Sequence, residues 1–490
     1  MPGFVYHAGE HFNLNSTWWN KAGPMIEYMA RCGYLLQQGL FVADVCFYYG
    51  DQAPNLVPSR RIDPDIKPRY PDTACLHCGK PKPIETSSLD KGYDYDYVNF
   101  EVILERMRVS DGRIVLPDGL SYALLVLPER EDMPPAVLRK LGELVEEGAT
   151  VVGRKPVRAP GLAGFPKGDE EVKVLADRIW GNCDGVGVKE HAHGKGKIIQ
   201  GIPLNDILRD KGIGPDFRAL DIPNDDRHID FIHRSTGRDD IFFVSNSAPE
   251  KESVDCVFRV DAKKRPEFWR PDAGTIVPCK SFARVEGGVK LAIELPAYGS
   301  VFVVFRESPT PAKFLSPEPL RAEPQPAVSV DGPWTLRFPA GWGVPESVVW
   351  DSLIDWTKSE DPGIRYFSGT ASYAAEFEVA EEILGERRGF LLTLGGVKEV
   401  AEVILNGRNL GIIWKEPFQV DISKALKSGK NALEVKITNL WHNRLMGDLL
   451  NPGAKPYTRT NMTLKAQDLI PAGLFGPVTI LRAVRSETDD

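Results

Sequence analysis

Nine residues near the start of the chain, HFNLNSTWW (11–19), bring together His11, Asn13, Asn15, Trp18 and Trp19. This mixture suits a sugar, because indole faces cover apolar C–H patches while amides and an imidazole bond the hydroxyls. A plainer reading starts a helix here and buries Trp18 and Trp19. A second group of the same chemistry lies far downstream in Trp414 and NLWHNR (439–444), where Asn439, Trp441 and Arg444 supply an amide, a stacking face and a planar guanidinium. Its plainer reading packs Trp441 in the core and pairs Arg444 with Asp448, four residues on, across a turn. Arg365, Tyr366 and Tyr373 carry the same two readings.

Other motifs point elsewhere. CLHC (75–78) has the spacing of half a zinc site, with His77 inside it. Structural zinc takes four ligands, and no second such pair follows, so His191 and His193 would have to complete a site. The competing reading is a pair of loop cysteines in a proline-rich insertion, and no metal ligand is assigned. HAHGKG (191–196) reads as a turn before a strand, and FVSNSA as a strand ending in a turn. Glu10 is the only carboxylate near the first cluster and reads as a solvated loop residue.

The elements that must position these groups can be read from periodicity. FSGTASYAAEF, LLTLGGVKEVAEVILNGRNLGIIW and NALEVKITNLW read as alternating strands, and Asn406-Gly407 is a strong hairpin signal. Upstream, PMIEYMARCGYLLQQG (24–39) has helical spacing and stops at a glycine. A strand at 41–50, a helix at about 98–107, a strand at YALLVLP, a helix at 136–148 and a strand at 149–153 follow. Strands alternating with helices imply a parallel sheet with crossovers. From GKGKIIQG through DIFFVSNS to GSVFVVFR the pattern changes to short strands and turns, a small all-β domain. Residues 307–327 are rich in proline and predict an extended connector.

Composition narrows the function. A length of 490 residues at about 150 per domain suggests roughly three domains. The hydrophobic fraction of 42% and charged fraction of 26% are ordinary for globular proteins. A net charge of −8 without a long basic run argues against nucleic acid as a partner. No apolar run approaches the roughly 18 residues of a membrane span. MPGFVYHAGEHFNLN has neither a basic region nor an apolar core, so no signal peptide is read and the cytoplasm is the default expectation. Seven scattered cysteines suit buried free thiols better than a disulfide framework.

The downstream strands, with PFQVDIS and GLFGPVTILRAV, resemble the galactose-binding-like jelly roll carried by many large glycoside hydrolases. HFNLNSTWW followed by IEYMARCGYLLQQGLFVADVCFYYGD resembles glycoside hydrolase family 106, the α-L-rhamnosidases, where their catalytic barrel ends; similar wording occurs in family 42 β-galactosidases. The likeness continues through KGYDYDYVN, YALLVLPEREDMPPAVL, HIDFIHRSTGRDDIFFVSN, PEFWRPDAGTI and NLWHNRLMGD, and covers nearly the whole chain. Leu14 departs from it, since the resemblance leads one to expect arginine there.

What the resemblance implies is a multidomain α/β plus all-β chain. Its parts are a remnant of the barrel end (1–24), a flavodoxin-like, class I glutamine-amidotransferase-like domain (25–215), a small β-sandwich (216–306), the proline-rich linker (307–327) and the jelly roll (328–490). The implied activity is hydrolysis of terminal α-L-rhamnosyl linkages, and the implied partner is a rhamnose-containing glycan or glycoside. A catalytic barrel needs roughly 250 residues that this reading does not find, so no catalytic Asp or Glu is carried over and the chain alone is expected to be inactive. The alternative is a stand-alone carbohydrate-binding or assembly scaffold. The family's association with calcium cannot be mapped to ligands here, and the amidotransferase-like domain implies contacts between subunits. That domain lacks the cysteine elbow of an active amidotransferase, since Cys46 lies inside a strand pattern.

Overall fold

A computed structural model of the chain describes residues 12–51, 89–162, 164–220, 228–311, 314–316, 321–384, 389–460, 463 and 465–484. Glu10, His11 and the Cys75, His77, Cys78 motif lie outside these residues. The chain divides into two compact units, one made of Met1–Cys32, Pro271–Val277 and Ser316–Asp490, the other of Gly33–Arg270 and Pro278–Leu315.

The second unit holds an open parallel sheet. Val45–Tyr48, Tyr95–Val98, Leu124–Val126, Thr150–Val152 and Gly196–Ile199 pair in parallel, and numbered along the chain their order across the sheet is 2-1-3-4-5. Glu190–His193 adds an antiparallel edge. Gly196–Ile199 therefore belongs to this sheet, although its short-strand pattern reads like the β-domain that follows.

Burial on both faces explains why VCFY is an unbroken apolar run rather than an alternating one. Cys46, Tyr48, Leu125, Val151 and Ile198 face one core, beneath the helices Pro135–Glu147 and Lys167–Trp180. Val45, Phe47, Leu124, Val152 and Ile199 face the other, with Leu204, Ile207 and Leu208 of the helix Leu204–Asp210. The region expected as a helix at about 98–107 is a single wide helical turn, Val102–Arg106.

A small sandwich shares this unit. One sheet runs Leu40–Phe41, Ile229–Ser235, Asp240–Asn246, Ser300–Arg306 and Arg265–Arg270; the facing one runs Phe217–Ala219, Glu252–Phe258, Gly288–Leu295 and Ala283–Val285. Phe231, Phe242, Phe258 and Phe305 fill the space between them. Beside that core runs a chain of paired charge, buried at Asp44, Asp216, His233, Asp240 and Lys264. Arg113 meets Asp44 at 3.1 Å, Asp44 meets Arg259 at 2.6 Å, and Arg259 meets Asp216 at 3.0 Å. His233 then bridges Asp216 at 2.8 Å and Asp240 at 3.3 Å, and Lys264 closes the chain on Asp240 at 2.8 Å.

The first unit is dominated by a larger sandwich. Its six-stranded sheet has the order Ser347–Trp350, Trp334–Arg337, Thr370–Val379, Gly429–Thr438, Val400–Leu405, Arg408–Ile413. Arg321–Ser329, Thr479–Val484, Gly389–Thr393 and Gln419–Asp421 form the opposing sheet, so part of the proline-rich run is extended and paired within the sandwich. Thr370–Val379 alternates strictly, sending Ala371, Tyr373, Ala375, Phe377 and Val379 into the core. The expected hairpin joins Leu405 to Arg408, with Asn406 at φ 53° and Gly407 at φ 78°, the two positive values that this tight turn requires.

Candidate functional site

The residues following Phe12 make a series of tight turns before the helix Gly23–Leu36. Asn13 Oδ1 accepts the Asn15 N–H at 2.8 Å, and the Ser16 N–H reaches the Asn13 carbonyl at 3.0 Å. Three bonds then fasten this segment to the larger sandwich. The Thr17 hydroxyl donates to the Asn439 carbonyl, the Trp441 indole N–H donates to the Asn15 carbonyl, and Lys21 Nζ lies 3.0 Å from Glu402 Oε2. Lys21 is only 5% exposed, so its charge is held by that one carboxylate rather than by water.

Between the segment and the sandwich lies a cleft of about 380 Å³, within the range of about 300–1,000 Å³ usual for small-molecule sites. Leu14, Trp19, Pro339, Trp342 and Trp441 make its apolar wall, and Ser16, Thr17, Asn20, Ser368 and Thr370 its polar one. Trp342 and Trp441 sit 5.7 Å apart at 37°, and Trp342 stacks further on Tyr457 at 5.9 Å. Several hydroxyls are already committed: Ser368 donates to the Leu440 carbonyl at 2.7 Å, and Thr370 pairs with Thr438 at 2.7 Å. Among the described residues, no side chain in the lining is ionisable. The arrangement can bind a ring through apolar faces and a few hydrogen bonds, but among its described residues it holds no group able to carry a proton to or from a glycosidic oxygen.

The two clusters singled out from sequence are thus brought together in part. Trp19 and Trp441 line the cleft, and Asn15 supports it through its backbone. Asn439 is buried, with its amide spent on the Gly369 N–H and the Phe367 carbonyl at 2.9 Å each, so it shapes the turn before Thr370–Val379. Arg444 is buried and pairs with Asp448 at 3.0 Å, the i+4 reading, but within the helix His442–Leu450 rather than across a turn. Its guanidinium also lies over Tyr457, 4.8 Å from the ring centre. Trp18 packs on Phe12 at 5.9 Å and Trp414 on Tyr28 at 5.5 Å; neither lines the cleft. Tyr373 is wholly buried, its hydroxyl accepting from the Trp356 indole and the Leu474 N–H. Arg365 donates to the Ser359 carbonyl at 2.9 Å.

Sequence reasoning missed Trp342 and the hydroxyls of Ser368 and Thr370. Trp342 carried a usable signal, because a tryptophan set in PAGWGVP has no strand or helix to bury it. Among the described residues no three His, Cys, Asp or Glu side chains gather as a metal site, and His193 faces Glu146 at 3.1 Å. Five free cysteines are described, Cys32, Cys46, Cys183, Cys256 and Cys279.

Comparison with known proteins places this geometry in a lineage. The glycoside hydrolase family 106 profile, alpha-L-rhamnosidase, matches residues 1–72 and 81–283, over half of the chain. The chain belongs to the α-L-rhamnosidase family. Residues 344–463 of this family member also match the galactose-binding domain-like family of glycosyl hydrolase 2. The solved structure of the rhamnosidase from Novosphingobium sp. PP1Y is 33% identical, with a TM-score of 0.78 over 98% of this chain and 43% of that one. A protein named putative beta-glucuronidase from Formosa agariphila is 25% identical, the match covering 98% of this chain and 58% of that protein. The family member described here therefore spans about half the length of these relatives.

Proposed function

We propose that this chain serves the hydrolysis of terminal α-L-rhamnosyl linkages as the non-barrel part of a family 106 glycoside hydrolase, and that its cleft holds sugar. The observation that carries this reading is the likeness to a solved rhamnosidase along 98% of the chain. The aromatic wall of Trp19, Trp342 and Trp441 supports a carbohydrate ligand, since indole faces match the apolar faces of pyranose rings.

Hydrolysis needs more than this cleft. An inverting glycosidase sets an acid and a base roughly 6.5–9.5 Å apart across the bond, and the described lining residues offer neither. We assign the catalytic carboxylates to residues other than those described. The strand order 2-1-3-4-5 supports a flavodoxin-like, amidotransferase-like reading of the α/β part. Cys46 in that part is a poor nucleophile, because burial pushes its thiol well above the ordinary range, and the domain reads as a scaffold. Subunit contacts through this domain belong to the same proposal.

The test is direct. The purified 490-residue chain should not turn over an aryl α-L-rhamnoside but should bind rhamnosides in a calorimeter. Turnover abolished by one carboxylate substitution would overturn the assignment of catalysis elsewhere. Binding without turnover by any longer form would favour the alternative of a stand-alone carbohydrate-binding or assembly protein, which the uncharged described lining of the cleft also suits.

A further inference from the structure

Resting on the reading of the cleft as a sugar site, we infer that Asp448, which does not line it, is a positioning residue for it: acting through Tyr457, it presets the face of Trp342. Trp342 sits on the turn between the strands Trp334–Arg337 and Ser347–Trp350, so no strand or helix of its own fixes its ring. Neighbouring flat groups do that instead. Trp441 lies 5.7 Å from it, Tyr457 lies 5.9 Å from it at 24°, and the Arg444 guanidinium lies 4.8 Å from the Tyr457 ring centre. Gly343, beside Trp342, has φ 65°, and a Cβ there would run into the Tyr457 hydroxyl. The tyrosine thus rests on bare backbone next to the indole it supports.

One carboxylate holds this group together. Asp448 Oδ2 accepts the Tyr457 N–H at 3.0 Å, the Thr458 N–H at 2.7 Å and the Thr458 hydroxyl at 2.6 Å, while Oδ1 takes Arg444 at 3.0 Å. The Asp448 side chain is 11% exposed, so water competes little for these bonds. The helix that carries Arg444 and Asp448, His442–Leu450, begins directly after the lining residue Trp441. A sugar that meets an indole already held in place spends no binding energy on ordering it. Without Asp448, Tyr457 loses its anchor and Trp342 must be ordered as the ligand arrives.

Calorimetric titration of the 490-residue chain with methyl α-L-rhamnoside tests the inference, on the native chain, Asp448→Ala, Trp342→Ala and the double variant, with thermal unfolding beside each. Asp448→Ala should weaken binding by about three- to tenfold, and Trp342→Ala by more. The double variant should bind no more weakly than Trp342→Ala, because both changes act through one ring. Tyr457→Phe, which keeps the ring, should bind like the native chain. Should Asp448→Ala fail to fold, Tyr457→Ala, at a residue 39% exposed, must show the same dependence on Trp342. Losses that add in the double variant, or native affinity in Asp448→Ala, overturn the positioning role and leave the sugar cleft standing. No binding by the native chain overturns the reading of the cleft and the inference with it.

Discussion

Lys21 and Glu402, 381 positions apart in sequence, meet at 3.0 Å where the lysine is nearly sealed from solvent. Asn409 Nδ2 donates to the other oxygen of Glu402 at 2.8 Å, so the carboxylate is held on both sides. The pair pins the turn segment that forms one wall of the cleft.

Lys21→Met should remove that pin. Loss of one partner of a fully buried pair costs about 3–5 kcal/mol, and the 20% exposure of the Glu402 side chain should bring the loss down to roughly 1–3 kcal/mol. Rhamnoside binding should fall with it. Denaturant unfolding and calorimetry check both; an unchanged midpoint with unchanged binding would remove the pair from any part in building the cleft.

His233 predicts a stability window. Burial alone would lower its pKa, but the charges and hydrogen bonds of Asp216 and Asp240 outweigh that and raise it above the ordinary 6.5. Burial likewise opposes ionisation of Asp240, yet His233 and Lys264 bring it down to about 2 from 3.8. A raised folded pKa gives stability that is whole below about pH 6.5 and is lost as pH rises through the folded value. A lowered one gives stability that is present above 3.8 and is lost as pH falls toward 2. Unfolding midpoints measured across pH should therefore peak between these limits. In His233→Gln the alkaline fall should flatten, and a wild-type profile that climbs steadily above neutrality would contradict this account.

Tyr373→Phe isolates a buried acceptor. It leaves the Trp356 indole and the Leu474 N–H without their shared oxygen in a site of no exposure. The expected loss is about 1–3 kcal/mol with the strands retained, measured by denaturant unfolding with circular dichroism. A neutral result would mean that water replaces the hydroxyl.

Gly407→Ala tests backbone conformation alone. Nothing lies within 4 Å of where its Cβ would sit, so the effect comes from the positive φ of 78°. A loss of about 1–2 kcal/mol is expected, read as a lower unfolding midpoint. A gain in stability would show that the turn relaxes to another type.

The sequence made local periodicity legible and left convergence obscure. The hairpin at Asn406-Gly407, the run Val45–Tyr48 and the helix Pro135–Glu147 announce themselves because each encodes its own period and its own stop. Lys167–Trp180 was not foreseen, since only Val172, Ala176, Ile179 and Trp180 mark its buried stripe among many charges. Leu204–Asp210 is too short for a period to emerge. Trp19 and Trp441, singled out by type, do line the cleft, whereas Asn439 and Arg444 have the same chemistry but spend it internally. Side-chain type cannot separate those outcomes; only the positions of Gly369, Phe367 and Asp448 decide them.

The first unit is assembled from three separate pieces of chain. Lys415 holds Asp272 at 3.0 Å, and Arg31 reaches the Pro271 carbonyl at 2.9 Å, stitching the middle piece to the other two. An excised fragment beginning at Arg321 would keep the pleated layers of the sandwich and forfeit Leu14, Ser16, Thr17, Trp19 and Asn20. The cleft in this protein is thus a property of discontinuous sequence, and a grafted sandwich would arrive with nearly half of its lining missing.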